Sequence, residues 1–218
     1  MTGDGRTETR SGFAAELGVV FCGGESRRMG RDKAVLEIEG RTMLERAIAC
    51  LERIAPAVVL ACGPEDRYQG LGMERVLDPR PGLGPIGGLA ASLRRLQREG
   101  TDPGRSILYA LACDMPLARP EIFRALSERL AVSGADAVLV RTDEGIEPLL
   151  AVYRGSALPA VERAVARGER RMVSFHGEIE VALLDPVTVA GTAPERYAQC
   201  ATNVNTPEEL RALQGRLA

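Results

Sequence analysis

The 218-residue sequence contains one lysine, one histidine and no tryptophan, and only 4% of its residues are aromatic. A lone histidine, His176, cannot supply the imidazole set of a histidine-rich metal centre. The five cysteines (Cys22, Cys50, Cys62, Cys113 and Cys200) are odd in number and contain no C-x-x-C pair, so they indicate neither a disulfide framework nor a thiolate metal site. Cys22, Cys62 and Cys113 each end an apolar run and read as small, reduced core residues. Ser26 stands in Gly24-Glu25-Ser26-Arg27-Arg28 and not in G-x-S-x-G, which removes the nucleophile elbow of a serine hydrolase. No apolar run approaches the ~18 residues of a membrane-spanning helix. Residues 1–15 mix both charges without periodicity; they suit neither a signal peptide nor an anchor and read as a flexible leader to a single domain over 16–218. With 28 basic and 30 acidic residues there is no overall field to draw in nucleic acid or anionic lipid. The expectation is a cytoplasmic protein that acts on small molecules, with neither nucleic acid nor membrane as partner.

What is present begins with a hydrophobic content of 45%, enough for one buried core. Three short apolar runs, 17–22 (LGVVFC), 57–62 (AVVLAC) and 106–113 (SILYALAC), are continuous and not alternating, as strands buried on both faces read. Between the first two, Met43, Leu44, Ala47, Ile48, Leu51 and Ile54 form one helical stripe, and Thr42 with Glu45 offers a capping box at its start. A further strand is expected at about 74–77, with helices at roughly 87–98, after Pro120 and through 156–167. The runs 136–140 and 148–153 flank a charged turn and predict paired strands, one of them antiparallel. Thr206-Pro207-Glu208-Glu209 predicts a short capped helix. This alternation predicts an α/β fold, a three-layer, doubly wound and mostly parallel sheet with helices on both faces. Such sheets bind ligands beyond the carboxyl ends of their strands, which directs attention to the loops after Cys22, Leu77 and Cys113.

The first of these loops, Gly23 to Lys33, reads GGESRRMGRDK. Gly23 and Gly24 let backbone amides approach a ligand, and Arg27, Arg28, Arg31 and Lys33 place four cations within seven residues. That combination suits a nucleoside triphosphate. Of the 28 basic residues in the chain one is lysine and the other 27 arginine, and the lysine lies in this loop. A compact ammonium and a planar guanidinium serve a phosphate differently, so Lys33 is a candidate catalytic residue. Later, Gly82, Gly84 and Gly87 fit G-x-G-x-x-G, the mark of a dinucleotide site, but Pro85 has no N–H to give a phosphate and the segment does not follow the first strand. It suits a rigid loop against a base, with Asp78 upstream either accepting hydrogen bonds or capping a turn. Asp114 follows the third run directly and is placed to hold Mg²⁺ between phosphate oxygens. Asn203 and Asn205 alternate onto one side of an extended segment, available to a metal or an acceptor, with a plain turn as the other reading of Asn205.

Together these segments resemble the molybdenum cofactor guanylyltransferases of the nucleotide-diphospho transferase superfamily, which share a Rossmann-like nucleotidyltransferase fold. The resemblance spans residues 17–215 and rests on FCGGESRRMGRDK, VLDPRPGLGPIGGL, LACDMP, GERRM (168–172) and NVNTPEEL. It implies Mg²⁺-dependent transfer of GMP from GTP to the terminal phosphate of a molybdopterin cofactor, with pyrophosphate released and with proteins that deliver the pterin as partners. By position, Phe21, Cys22, Gly23, Gly24 and Gly84 fall to the nucleotide and Lys33 to its phosphates, with Arg27 or Arg28 assisting. Asp78 falls to guanosine, Asp114 and Asn205 to the metal, and Asn203 and Asn205 to the acceptor. Apart from the resemblance, Arg170 and Arg171 are candidate ligands of the acceptor phosphate, with an exposed helix start as their other reading. Two positions depart from the family. Phe21-Cys22 replaces leucine-alanine, and Ala61-Cys62-Gly63 stands where an asparagine-containing segment is usual. A related transferase using CTP or another acceptor is a second reading, and a non-catalytic dinucleotide-binding module built on Gly82–Gly87 a third.

Overall fold

Continuous apolar runs can be satisfied only by strands covered on both faces, and the computed structural model places them so. It describes residues 13–24, 32–78, 80–98, 102–185 and 199–217. In chain order these form β1 (Ala15–Phe21), the short strands β2 (Glu37–Ile38) and β3 (Arg41–Thr42), α1 (Met43–Leu51), β4 (Val58–Ala61), β5 (Glu74–Val76) and α2 (Pro85–Gln97). There follow β6 (Ser106–Ala112), α3 (Pro120–Ser133), β7 (Ala137–Thr142), β8 (Gly145–Arg154), α4 (Leu158–Ala166), β9 (Val181–Leu184) and α5 (Pro207–Leu217). Phe13 is already buried, under the Arg154 guanidinium, so the fold takes in part of the segment read as a leader; residues 1–12 lie outside the described residues.

Seven strands make one sheet in the order β5-β4-β1-β6-β8-β7-β9. Every neighbouring pair is parallel except those of β8, which runs antiparallel to both β6 and β7. The expected antiparallel pair is therefore the β7–β8 hairpin, but its second strand is inserted between β6 and β7. Side chains alternate across each strand. Val20 of β1 packs with α1 and α3 on one face, whereas Leu17 and Val19 pack with α2 and α4 on the other. The α1 stripe is buried as its spacing predicts, Leu44, Ala47, Ile48 and Leu51 against the sheet; each large aliphatic contributes about 1.5–3 kcal/mol. Ile54 lies beyond the last turn, half-buried against the same cluster. Thr42 closes the predicted capping box, with Oγ1 accepting from the Glu45 N–H (3.1 Å) and the Glu45 carboxylate accepting from the Thr42 N–H (2.8 Å).

Two features position the site. The chain leaves β1 toward β4 and β5 on one side and returns through α2 to β6 on the other, so the connections diverge at the carboxyl ends of β1 and β6, where a crevice opens. Separately, Ile38 and Met43 from the β2–β3 corner form a small apolar cluster with Val204 and Leu213. This cluster fastens α5 and the segment before it beside the crevice.

Candidate active site

At the end of β1 the chain turns through Cys22 and Gly23 against the loop that follows β4. A Cβ at Gly23 would lie 2.4 Å from the Gly63 nitrogen, so the two loops touch backbone to backbone and only glycine fits there. Gly63, with φ of 75°, accepts a hydrogen bond from the Asp78 N–H through its carbonyl (2.9 Å). The loops after β1, β4 and β5 thus form one continuous rim. Asp78 then turns its carboxyl toward the first turn of α2, where a Cβ at Gly87 would come within 2.8 Å of Oδ2. Its other oxygen, Oδ1, is buried without a hydrogen-bond partner among the described residues, and burial pushes the carboxyl up from 3.8 to about 6. The capping alternative fails, since the N-cap of α2 is Gly84 and no side chain caps it. Pro85 occupies the first turn of that helix, so the literal G-x-G-x-x-G opens α2 with one donor missing.

On the other side of the switch point, Asp114 follows β6. The next helix begins six residues later at Pro120, which leaves this carboxylate with no capping role. Lys33 Nζ donates to Asp114 Oδ2 and, at 3.2 Å, to Asn205 Oδ1. Asp114 Oδ1 is buried with no hydrogen-bond partner among the described residues. The three residues are far apart in the sequence and meet because the Val204 N–H donates to the Asp114 carbonyl (2.9 Å), pinning the asparagine segment to the β6 loop. Thr206 and Glu209 complete the predicted capping box of α5, and the Glu209 carboxylate also accepts from the Asn205 N–H (2.6 Å). A cavity of about 570 Å³ joins both halves, lined among others by Cys22, Gly23, Lys33, Asp78, Asp114 and Arg170.

A cavity with one lysine and two carboxylate oxygens that lack partners among the described residues thus lies at a switch point, where open α/β sheets bind their ligands. The MobA-like NTP transferase domain matches residues 18–182. The chain belongs to this family. A probable molybdenum cofactor guanylyltransferase of Opitutus terrae is 39% identical to this MobA-like transferase over 163 residues, 74% of this chain and 78% of that one. A namesake from Chloroflexus aggregans is 32% identical, covering 92% and 94%. Among solved structures, molybdopterin-guanine dinucleotide biosynthesis protein A of Archaeoglobus fulgidus superposes with a TM-score of 0.75 at 27% identity, over 92% of this chain and 98% of that one. The fold is also that of 2-C-methyl-D-erythritol 4-phosphate cytidylyltransferase from Thermus thermophilus, at a TM-score of 0.60 and 17% identity.

The residues that the sequence proposes for the site differ in where the structure of this MobA-like transferase places them. Phe21, Cys22, Gly23, Gly24, Lys33, Asp78, Gly84 and Asp114 line the cavity. Asn205 reaches it through Lys33, and Arg170 faces Gly82 and Gly84 across its mouth. Arg171 and Asn203 are not among the lining residues: the Arg171 carbonyl accepts from the Ser174 N–H (3.1 Å), and the Asn203 side chain hydrogen-bonds Glu147. Arg170 and Arg171 follow the end of α4 and do not begin a helix. Arg27, Arg28 and Arg31 lie outside the described residues.

Three contributors carried no signal in the sequence. Asp32 caps the Lys33 turn through the Ala34 N–H (3.1 Å) and accepts from the Tyr68 hydroxyl (2.6 Å), tying the Lys33 loop to the loop after β4. Glu147 of β8 is half-buried, and burial together with the neighbouring Asp114 raises its carboxyl above the usual range, opposed by the Asn203 hydrogen bond. A glutamate in the middle of an apolar-and-charged hairpin has no periodic mark; only the insertion of β8 beside β6 brings it to the site. Oxygen donors dominate here. Asp114 Oδ1 and Asn205 Oδ1 are the hard ligands Mg²⁺ takes, which usually completes its shell with phosphate oxygens and water. No group of three or more His, Cys, Asp or Glu among the described residues could hold a metal by protein alone.

Proposed function

We propose that residues 16–218 act as one unit that transfers GMP from GTP to the terminal phosphate of molybdopterin, releasing pyrophosphate. One observation carries this reading: Lys33, Asp114 and Asn205 converge at the β1/β6 switch point, across one cavity from the buried acceptor of Asp78. The Watson–Crick edge of guanine presents adjacent N–H donors, and an ionised Asp78 carboxylate accepts from both. The loops around Gly23 and Gly84 hold the base and the phosphates, with Arg27 or Arg28 adding charge. Asp114 and Asn205 are the residues that would hold Mg²⁺, which when bound supplies positive charge to the phosphate oxygens.

In the reaction, an oxygen of the acceptor phosphate attacks the α-phosphorus in line. The bond to the β-phosphate oxygen breaks, and its electrons leave with pyrophosphate. A phosphate nucleophile is already anionic and needs no base, so the work of the protein is orientation and charge. The Lys33 ammonium neutralises the charge that develops between the α- and β-phosphates. Arg170 and Arg171 take the acceptor phosphate, and Asn203, held by Glu147, orients the acceptor beside Asn205. The five buried free cysteines suit a reducing cytoplasm, where proteins that deliver the pterin would meet this face.

The test is pyrophosphate release from purified protein with Mg²⁺ and molybdopterin, using GTP and CTP in parallel. Release with GTP that needs the acceptor and falls about 10²-fold or more in Lys33→Ala is expected. Equal rates with CTP would overturn the base assignment, and wild-type rates in Lys33→Ala would overturn the site.

A further inference from the structure

We propose that Cys22 and Cys62 form an oxidation site within the nucleotide pocket, converted by a hydroperoxide into a disulfide. These two residues directly follow β1 and β4. The strands are parallel with Phe21 opposite Ala61, and one step further along the register Cys22 faces Cys62. The Cys22 N–H still donates to the Ala61 carbonyl (3.0 Å), so the backbones remain adjacent there. The two sulfurs lie 3.7 Å apart, in hydrogen-bond contact. Both residues also line the cavity, which gives a water-sized oxidant its path to otherwise buried thiols.

The pair is asymmetric. The two sulfurs share one hydrogen bond in which either can be the donor, and that contact lowers the Cys62 thiol below its usual range against the effect of burial. Cys62 is therefore the sulfur that reacts first. Its thiolate attacks hydrogen peroxide, forming a sulfenic acid and releasing hydroxide. The Cys22 thiol then attacks that sulfur, closes the S–S bond and releases water. In sum two thiols give up two electrons and two protons, and one peroxide becomes two waters. Cys113 is the third thiol that lines the cavity.

Closure draws the sulfurs from 3.7 Å to about 2.0 Å. The residues that must move are the direct neighbours of Gly23 and Gly63, whose backbones are already in contact and form the rim. A displacement of that size in a positioning element costs about 10²-fold in rate. Its effect on the reaction rests on the function proposed above, whereas formation of the bond does not.

The experiment treats the full-length wild-type protein with hydrogen peroxide, alkylates remaining thiols and maps tryptic peptides without reduction. The expected product joins peptide 11–27, which carries Cys22, to peptide 54–67, which carries Cys62, with Cys50, Cys113 and Cys200 still alkylated. Because a cross-link stabilises the chain by itself, the functional readout is the increment in melting temperature that GTP adds, not the melting temperature. That increment should be lost on oxidation, return with dithiothreitol, and in Cys62→Ala be the same with and without peroxide. Five alkylated cysteines after treatment, a different pairing, or a Cys62→Ala increment that peroxide abolishes would each overturn the proposal. A reduced protein that shows no GTP increment while forming the 11–27/54–67 link would count against the nucleotide reading and leave the oxidation site standing.

Discussion

Replacing Asp78 by asparagine should make the protein more stable and a worse nucleotide binder. The Asp78 carboxyl is raised from 3.8 to about 6 by burial alone, with Oδ1 lacking a partner among the described residues. A carboxyl whose folded value lies above its unfolded one disfavours the fold wherever it must ionise. The penalty is complete above about pH 7; it shrinks as pH falls through 6 and is gone only well below 3.8, where both states are protonated. Each unit is worth about 1.4 kcal/mol, which sets a ceiling near 3 kcal/mol; solvent at the cavity mouth brings the expectation to about 1–3 kcal/mol. For a chain of this size that is a rise in melting temperature of roughly 2–10 °C at pH 7.5. Asparagine keeps the shape but offers one acceptor where guanine brings two donors, so affinity should drop roughly 10–100-fold, the worth of one hydrogen bond to a charged group. Thermal unfolding of both proteins between pH 4.5 and 8, with and without GTP and Mg²⁺, measures both effects. An Asp78→Asn protein less stable than wild type at pH 7.5, or a stability gap that does not narrow toward pH 4.5, would refute the assignment of Asp78 as a desolvated base-reading group.

Two further substitutions probe the rim and the closing helix. Gly23→Ala places a methyl 2.4 Å from the Gly63 nitrogen; the loops must part, with a loss of about 1–3 kcal/mol in denaturant unfolding and a smaller GTP-induced shift. Unchanged values for both would show that the rim is not continuous. Leu213→Ala removes the buried anchor of α5 at a cost of about 2–5 kcal/mol, and turnover measured well below the melting temperature should also fall, because Asn205 reaches Lys33 only while the segment stays pinned to Asp114.

Much of this molecule is legible in the amino-acid order because the features concerned are local. A run of apolar residues needs cover on both faces wherever it lies, and a threonine three residues before a glutamate caps a helix within one turn. In this way β1, β4, β6, the stripe of α1 and the boxes at Thr42 and Thr206 followed from spacing alone, and the loops after β1 and β6 were marked by Lys33 and Asp114. The two-residue strands β2 and β3 and the four half-buried residues of β9 are too short to carry a period and were not anticipated.

What remained belonged to the tertiary structure, and the reason is register. Whether β8 lies outside β7 or between β6 and β7 depends on which edge buries more surface, a sum over the whole sheet; that choice alone brings Glu147 to Asn203 and Asp114. The alignment of β1 with β4 puts the sulfurs of Cys22 and Cys62 in contact, although each by itself reads as a small core residue. The ionisation of Asp78 depends on how closely α2 packs over it through Gly87. By itself, then, the sequence determined which loops follow the carboxyl ends of the central strands and that one of them carries the lone lysine. Only the folded sheet decided what that lysine holds: Asp114 from the loop after β6 and Asn205 from near the chain's end, joined because the backbone of Val204 is pinned beside them.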